Sequence, residues 1–588
     1  MMNFNYIDPL KIEKREYQFK DAEQLSVKLS KGMNCGLVYP TGIGKSYTMY
    51  PVADNFLAKG KVLINAHSNP LVDQHYCNIK KIFNLNEDEV AKLVGKVSAK
   101  KRAELWKNAR LIVSTPQTIV SELKKGTIDL NGIALVVFDE MQMAKDKYAY
   151  VEIARRCREL GIPILGLTAS TGGSKIISKD KIRLDVLDEI YKVDWWIYRP
   201  ESDPEIKEYL FSKKEVKEII EYPEKHKEAM RHLRRKIICV HDELARSGLI
   251  ERLENTADLD RRFPFCQISE LKRLRPRLKA LANELRQRNK FKESYRINVL
   301  FDAYMKLMHL LNLFVTEGYE VSLDYLGELA VDLISGEYWR SAHPQLRYKN
   351  SVAYEILKRN DDIRAFYRLI NGFIKNNVPH PKLKRLIALV KGHLKRNVLI
   401  LVFCNYKKSI DYLKIALEKQ GIKPEIIAGV KFMKIEDQRK ILDCFKNREF
   451  SVLLATPVIE AGIHVPKIDL VINYSMPLTG IAQIQRGGRA GRTNFGLIYY
   501  LIMDNSNDTS LYFAARADNN GMDQELRRRL LIQEKEAKGE NVFFLKAKQA
   551  SLEFEPVSVD RPLIHQRLIS KKNKIRKITG NQGNLFSK

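Results

Sequence analysis

The stretch YPTGIGKS, residues 39 to 46, sets two glycines, a lysine and a serine between a predicted strand and a predicted helix. Glycine-rich backbone N–H groups at a helix N-terminus form an anion site, as a nucleotide phosphate requires. Within it Lys45 would reach the β- and γ-phosphates, and the Ser46 hydroxyl would hold Mg²⁺. The strict pattern opens with glycine, where this chain has Tyr39. Further on, ALVVFDEMQ (134 to 142) ends a buried strand in two acids. Asp139 would position the metal, and Glu140 would act as base for an attacking water. Buried carboxylates without a cation carry a large desolvation penalty, which favours a metal-linked role. A third stretch, QRGGRAGR (485 to 492), packs Arg486, Arg489 and Arg492 among Gly487, Gly488 and Gly491. Its guanidiniums are aimed at an anion, either a nucleotide phosphate or, as a free basic loop, nucleic acid.

Two sets of strands must hold these groups. Between 35 and 170 the runs CGLVY, KVLINA, RLIVS, ALVVF and IPILGLT alternate with amphipathic stretches. From 397 to 503 NVLILVF, PEIIAG, FSVLLAT, IDLVINYS and GLIYYLIM repeat the pattern. Runs this continuous predict strands buried on both faces, as in parallel sheets flanked by helices. Between the two sets the spacing becomes helical, which predicts a separate domain of five or more helices. The expected organisation is an ATP-binding α/β domain over 1–200 and a helical insert over 201–380. A second α/β domain over 381–520 and a helical extension with a basic flexible tail over 521–588 complete it. The insert carries LKRLRPRLKALANELRQRNKFK (271 to 292), with nine Lys and Arg against Glu284. Like charges at helical spacing repel, so a phosphate-contacting face that includes Arg273, Arg275 and Arg277 is expected rather than a solvated one.

The whole chain of 588 residues has a formal net charge of +30, which points to a polyanionic partner, nucleic acid ahead of a membrane surface. Its seven cysteines are scattered with no C-x-x-C pair, which argues against a disulfide framework or a zinc site. With neither a signal-peptide pattern nor an apolar run of ~20 residues, a soluble, cytoplasmic protein is expected.

PTGIGKS, TPQT (115 to 118), DEMQ, LTAS (167 to 170), LLATPVIEAG (453 to 462) and QRGGRAG occur in the order and spacing of a superfamily 2 helicase. REYQ (15 to 18), NPLVDQH (69 to 75), GLTASTG (166 to 172), HPKLKRL (380 to 386), LVFCNYKKS (401 to 409) and REFSVLLATPVIEAGIHVP (448 to 466) narrow the resemblance to the Hef and Fanconi-M group. It runs from about residue 12 to 520. It implies two RecA-like domains with a helical domain between them, and ATP-driven translocation with remodelling of forks, flaps and four-way junctions. By motif match Gln18 would read adenine, Thr41, Gly42, Gly44, Lys45 and Ser46 would hold phosphates and Mg²⁺, and Gly462 and His464 would face the nucleotide. Gln142, Thr168, Ser170 and Gln485 would relay nucleotide state between domains. Ser68, Gln74, Thr115, Pro116, Asn405 and Thr456 would touch the DNA strand, through phosphates rather than base edges. Arg489 and Arg492 would be the arginine fingers, reaching the γ-phosphate only when the two domains close around it.

The sequence departs from the group in several places. His464 stands where relatives have Asp, and Gly487 replaces an arginine. The nuclease domain of Hef is expected to be missing, since little chain follows the helicase motifs and no ERK followed by an acid occurs. NQGNLFSK at the end faintly resembles a sliding-clamp peptide without its aromatic pair. Two other functions stay open at this stage. One is a double-stranded RNA ATPase, whose relatives share a similar insert; the other is an architectural binding protein whose ATPase has decayed, which His464 and Gly487 motivate.

Overall fold

The computed structural model describes residues 4–13, 15–95, 97–145, 148–172, 176–178, 181–210, 212–250, 274–329, 360–396, 398–429, 431–459, 468–490, 496–540 and 542. The chain divides into two compact units, Met1–Gln524 and Glu525–Lys588.

The first unit opens with α1 (Glu16–Ser30), β1 (Asn34–Val38), α2 (Lys45–Leu57), β2 (Lys61–Asn65), α3 (Asn69–Ile82), β3 (Val90–Leu93), α4 (Ala99–Asn108), β4 (Leu111–Ser114), α5 (Pro116–Lys125) and β5 (Ile133–Asp139). Next come α6 (Ala149–Glu159), β6 (Ile164–Thr168), a small β7–β8 hairpin (Ile176–Ser178, Lys181–Ile182), α7 (Arg183–Tyr191) and β9 (Val193–Tyr198). Seven of these strands form a parallel sheet in the order β3-β4-β2-β5-β6-β1-β9. Every residue of β4 and β6 is buried, which accounts for their uninterrupted apolar runs.

After α8 (Pro204–Lys207) and β10 (Lys213–Ile220) the chain becomes helical through α9 (Glu224–Arg246), α10 (Arg275–Gln287), α11 (Phe291–Thr316), α12 (Tyr319–Leu329) and α13 (Asp361–Lys375). These helices share a core that includes Leu233, Ile237, Leu307, Phe314, Phe366 and Ile370. By length and composition α11 could cross a bilayer, yet most of it is buried in this core. The second sheet follows through α14 (Pro381–Leu394), β11 (Ile400–Phe403), α15 (Lys407–Glu418), β12 (Glu425–Ile427), α16 (Ile435–Lys446), β13 (Val452–Ala455), β14 (Leu470–Asn473), α17 (Gly480–Gly487), β15 (Gly496–Met503) and α18 (Asn507–Ala537). Its order is β10-β15-β14-β11-β13-β12, again all parallel. Two parallel-sheet domains with a helical domain between them are therefore present, as expected.

One part of the helical reading is corrected. Residues 213–220 form a strand of the second sheet, pairing with β15 from Lys213↔Gly496 to Ile220↔Met503. In KKEVKEII the apolar residues Val216, Ile219 and Ile220 fall at i, i+3 and i+4, which imitates a helix face. The segment is an edge strand, whose outer residues face water and can be charged.

A buried junction fastens the insert to the second sheet. Glu317, just after α11, accepts hydrogen bonds from Ser409 Oγ (2.7 Å) and Ser475 Oγ (3.0 Å), and its carbonyl accepts one from Tyr474 Oη (2.8 Å). Lys382 Nζ donates to Asp508 Oδ2 at 2.6 Å and to the carbonyl of Thr316 at 3.1 Å. In the second unit Glu525 pairs with Arg528 (2.6 Å) and Arg529 (3.0 Å) along α18. The basic tail and NQGNLFSK lie outside the described residues.

Candidate functional site

The phosphate loop joins β1 to α2. Gly42 and Gly44 have φ of 93° and 90°, left-handed backbone that L side chains rarely adopt, and α2 starts at Lys45. The N–H groups of the first turn therefore surround one point, with Lys45 and Ser46 beside it. A Cβ on Gly44 would lie 2.5 Å from Gln18 Nε2, so the second glycine is also fixed by close approach. Gln18, buried on α1, donates to the carbonyls of Ile43 (2.8 Å) and Gly44 (3.3 Å), and Tyr17 Oη donates to Ile43 at 2.5 Å. The residue expected to read adenine is thus in contact with the loop backbone. Tyr39, the departure from the glycine pattern, is fully buried at the strand end. Its hydroxyl donates to Asp21 Oδ2 at 2.5 Å, and Arg199 grips the same carboxylate at 2.5 and 2.8 Å. The tyrosine ties the loop to α1 and to the chain leaving β9.

Asp139 ends β5, two strands from β1 in the sheet order. Its Oδ1 accepts the Glu140 N–H at 3.0 Å, and its Oδ2 lies 3.0 Å from His75 Nε2. The other ring nitrogen of His75 lies 3.1 Å from Tyr50 Oη on α2. Burial on its own would raise the Asp139 pKa. The hydrogen bond from His75, with the nearby His75, Lys45 and His67, outweighs burial and holds the carboxyl below its ordinary value. The Asp139 carboxylate, close enough to Lys45 to feel its charge, and the Ser46 hydroxyl next to Lys45 are hard-oxygen donors of the kind that fits Mg²⁺.

Glu140 has a φ of 54°, a strained conformation for a residue with a side chain, costing about 1–3 kcal/mol. From it runs an unbroken line of contacts. Gln142 Nε2 donates to Glu140 Oε2 (2.5 Å), while Gln142 Oε1 lies 2.6 Å from Thr168 Oγ1. Thr168 Oγ1 accepts the Ser170 N–H (2.9 Å), and Ser170 Oγ lies 3.1 Å from Met522 Sδ on α18. The expected coupling residues Gln142, Thr168 and Ser170 are thus joined to the candidate base.

The arginine segment sits on the phosphate loop. A Cβ on Gly488 would fall 1.9 Å from Thr41 Oγ1 and 2.5 Å from Thr41 Cβ, so only glycine permits the approach. Arg486, 1% exposed, does not face the loop. It donates to the Ser475 carbonyl (2.7 Å) and to Asn405 Oδ1 (2.7 Å), and lies over the Phe403 ring. Arg489 is buried beside Gly488. Gly487 has no such steric reason, since its Cβ would meet Ile498 Cδ1 at an ordinary 3.6 Å. Arg492, Gly462, His464 and Arg273 lie outside the described residues.

Ser68, Thr115, Asn405 and Thr456 follow β2, β4, β11 and β13 at their carboxyl ends, where open α/β sheets bind ligands. Among the described residues Ser68 Oγ is buried without a hydrogen-bond partner, whereas Thr115 Oγ1 pairs with Thr118 Oγ1 at 2.8 Å. Pro116 is buried at the start of α5, and Gln74 and Gln485 are half-buried on α3 and α17. The Asn405 amide is engaged inside its domain, accepting from Arg486 and donating to the Met476 carbonyl at 2.9 Å. Arg275 and Arg277 are exposed on α10. His75 was not foreseen. A lone histidine on an amphipathic helix carries no sequence signal, although its neighbour Asp73 also reaches across to Arg439 of α16 in an ion pair.

Residues 20–177 match the model of the DEAD/DEAH box helicase family, and residues 381–494 that of the helicase conserved C-terminal domain. A putative ATP-dependent RNA helicase of Methanocaldococcus jannaschii is 29% identical over 87% of this chain and 60% of its own length. The DEAD-box ATP-dependent RNA helicase FANCM of Arabidopsis thaliana is 25% identical over 87% of this chain and 36% of its own. For the ATP-dependent DNA helicase mph1 of Aspergillus oryzae the figures are 26%, 87% and 45%. The chain thus spans less than two thirds of the length of each of these relatives. Among solved structures, the Hef helicase domain of Pyrococcus furiosus is similar at 28% identity and a TM-score of 0.63, covering 87% of this chain and 99% of that one.

Proposed function

Because the chain belongs to the ATP-dependent superfamily 2 helicases of the Hef and Fanconi-M type, we propose that it uses ATP hydrolysis to move along DNA and to remodel forked or branched DNA. The observation that carries this reading is the seating of Gly488 against Thr41, which brings the arginine segment of one sheet onto the phosphate loop of the other.

In this reading the N–H groups of the loop and Lys45 bind the triphosphate. Ser46 and Asp139 would hold Mg²⁺, which when bound neutralises charge on the phosphate oxygens. Glu140 takes the proton of the attacking water, and Gln142 fixes the orientation of its carboxylate. Arg489, together with Arg492, meets charge developing on the γ-phosphate, a contribution worth ~10³ to 10⁵ in rate where arginine fingers have been measured. The Glu140–Gln142–Thr168–Ser170 line passes the state of the γ-phosphate toward α18. Ser68, Gln74, Thr115 and Thr456 hold the strand backbone, and Arg275 and Arg277 of the insert hold flanking phosphates.

ATPase and unwinding on single-stranded, duplex, forked and four-way DNA beside an RNA duplex of equal length test this. Strongest stimulation by forked or four-way DNA is expected. Stronger stimulation by RNA would favour the second reading, an RNA-directed helicase, which the names of the Methanocaldococcus and Arabidopsis relatives support.

A further inference from the structure

The helices α10 and α11 fold back on each other around a three-residue turn in which Asn289 takes a left-handed φ of 57°. Their packing is anchored away from the turn. Leu278 and Ala282 are buried, Ser294 Oγ donates to the Ala282 carbonyl at 3.0 Å, and α11 enters the core of the insert from Ile297 onward. Residues 286 to 293 are all exposed, so the turn projects from the domain as a stiff tip.

The tip combines two kinds of group. Arg286, Arg288, Lys290, Lys292 and Arg296 stand there, and the acids near them are held in exposed pairs, Arg288–Glu284 (2.7 Å), Lys290–Glu293 (3.1 Å) and Arg296–Glu243 (2.9 Å), of a kind worth little in water. Phe291 and Tyr295, four residues apart and hence on one face of α11, are 62% and 58% exposed. Leaving two large rings in water forfeits burial energy that the insert core could have supplied. Protein interfaces favour aromatics but exclude lysine from their centres, whereas nucleic acid satisfies both groups, with phosphates for the cations and base faces for the rings. In a closed duplex the base faces are already stacked, so the rings find partners where pairing is interrupted. Along α10 the basic residues continue on two flanks, Arg286, Lys279 and Arg275 on one and Arg288 and Arg277 on the other. From Arg275 to Arg286 the first flank extends roughly 16 Å at ~1.5 Å per residue, enough for about five phosphates of one strand.

We propose that this tip is a stacking site for unpaired nucleobases at a branch point, with Phe291 and Tyr295 against base faces and the surrounding lysines and arginines on the adjoining phosphates. The inference rests on the nucleic-acid function proposed above and gives the insert a role in recognising the branch beyond phosphate contact.

The full chain is titrated with forked DNA carrying 2-aminopurine at the branch, and with a blunt duplex of equal length. Wild type is expected to change the 2-aminopurine fluorescence. The double variant Phe291→Ala/Tyr295→Ala loses that change and binds the fork roughly tenfold or more weakly, within the range of alanine substitutions at stacked bases. Its duplex affinity stays within about twofold of wild type, and Phe291→Trp keeps both signals, which a structural role for the site would not give. The proposal is overturned if the double variant retains wild-type fork affinity and fluorescence, if it weakens fork and duplex alike, or if its defect appears only on phosphatidylserine vesicles. A wild-type chain whose ATPase no nucleic acid stimulates removes the functional reading and the tip with it. Stimulated ATPase with an unaltered double variant removes the tip alone.

Discussion

Gly488→Ala separates closure from nucleotide binding. The nearest atoms to the new Cβ are Thr41 Oγ1 at 1.9 Å, Cβ at 2.5 Å and Cγ2 at 3.0 Å, all on a short side chain that cannot swing aside. Ordinary contact begins at 3.4 Å, so the arginine segment has to withdraw by about 1.5 Å. A misplacement of ~1 Å in a catalytic group costs ~10²-fold, and complete loss of an arginine finger ~10³- to 10⁵-fold. The expected fall in the hydrolysis rate is therefore ~10²- to 10³-fold, about 3–4 kcal/mol of barrier. Nucleotide affinity should change less than about threefold, because the loop proposed to bind the phosphates is on the other domain. Quenched-flow single turnover gives the rate, and titration with a fluorescent ATP analogue gives the affinity. Gly487→Ala is the matched control, since its Cβ meets Ile498 Cδ1 at 3.6 Å, and it should behave as wild type. A Gly488→Ala protein within about fivefold of the wild-type rate would refute the closure reasoning.

Three further outcomes are expected. Glu140→Gln should bind ATP and fail to turn it over; multiple turnovers at a wild-type rate would exclude Glu140 as the base. His75→Ala should raise the Mg²⁺ concentration for half-maximal ATPase by ~10- to 100-fold, with a smaller effect from Tyr50→Phe, because Asp139 loses the group that orients it. A lower melting temperature with an unchanged Mg²⁺ titration would make His75 purely structural. Glu317 supplies the pH prediction. Burial, with Asp508 adding to it, outweighs Lys382, Ser409 and Ser475 and pushes its carboxyl up from 4.5 to about 7. The folded chain therefore binds this proton more tightly than the unfolded one. The resulting stability, about 3 kcal/mol, is complete below pH 4.5 and lost as the pH rises toward 7. Glu317→Gln should lose less stability than wild type between pH 5 and 8 in urea melts, and parallel losses would refute it.

The strands most legible in the sequence were those buried on both faces, where burial forces a continuous apolar run. Within the two parallel sheets the three that escaped, β3, β9 and β10, are all sheet edges, where water on one side admits the charges seen in VAKL, VDWWIY and KKEVKEII. The loop over 39–46 and the Asp139–Glu140 pair stand out in the sequence because the chemistry expected of them depends on residues adjacent in sequence. The roles of the arginines were less so. Arg486 and Arg489 look alike in QRGGRAGR, and what separates them is the helical turn that points one at Asn405 and leaves the other beside the loop. His75 was hidden because its partners, Tyr50 and Asp139, lie 25 and 64 residues away in sequence.

The junction around Glu317 and Lys382 bears on how a step along DNA would be made. With Lys382 bonded to the Thr316 carbonyl, Glu317 bonded to Ser475, and β10 woven into the second sheet just before α9, the insert is built onto one side of the cleft. If the cleft closes on ATP as proposed, the insert would move as a lever fixed to the second sheet and carry the α10–α11 tip with it. An angular change too small to notice at the phosphate loop would be magnified there into a displacement along the strand. The stroke length would be set by the reach of the helices, so shortening or extending α10 and α11 by whole turns would retune the step without altering the ATP site.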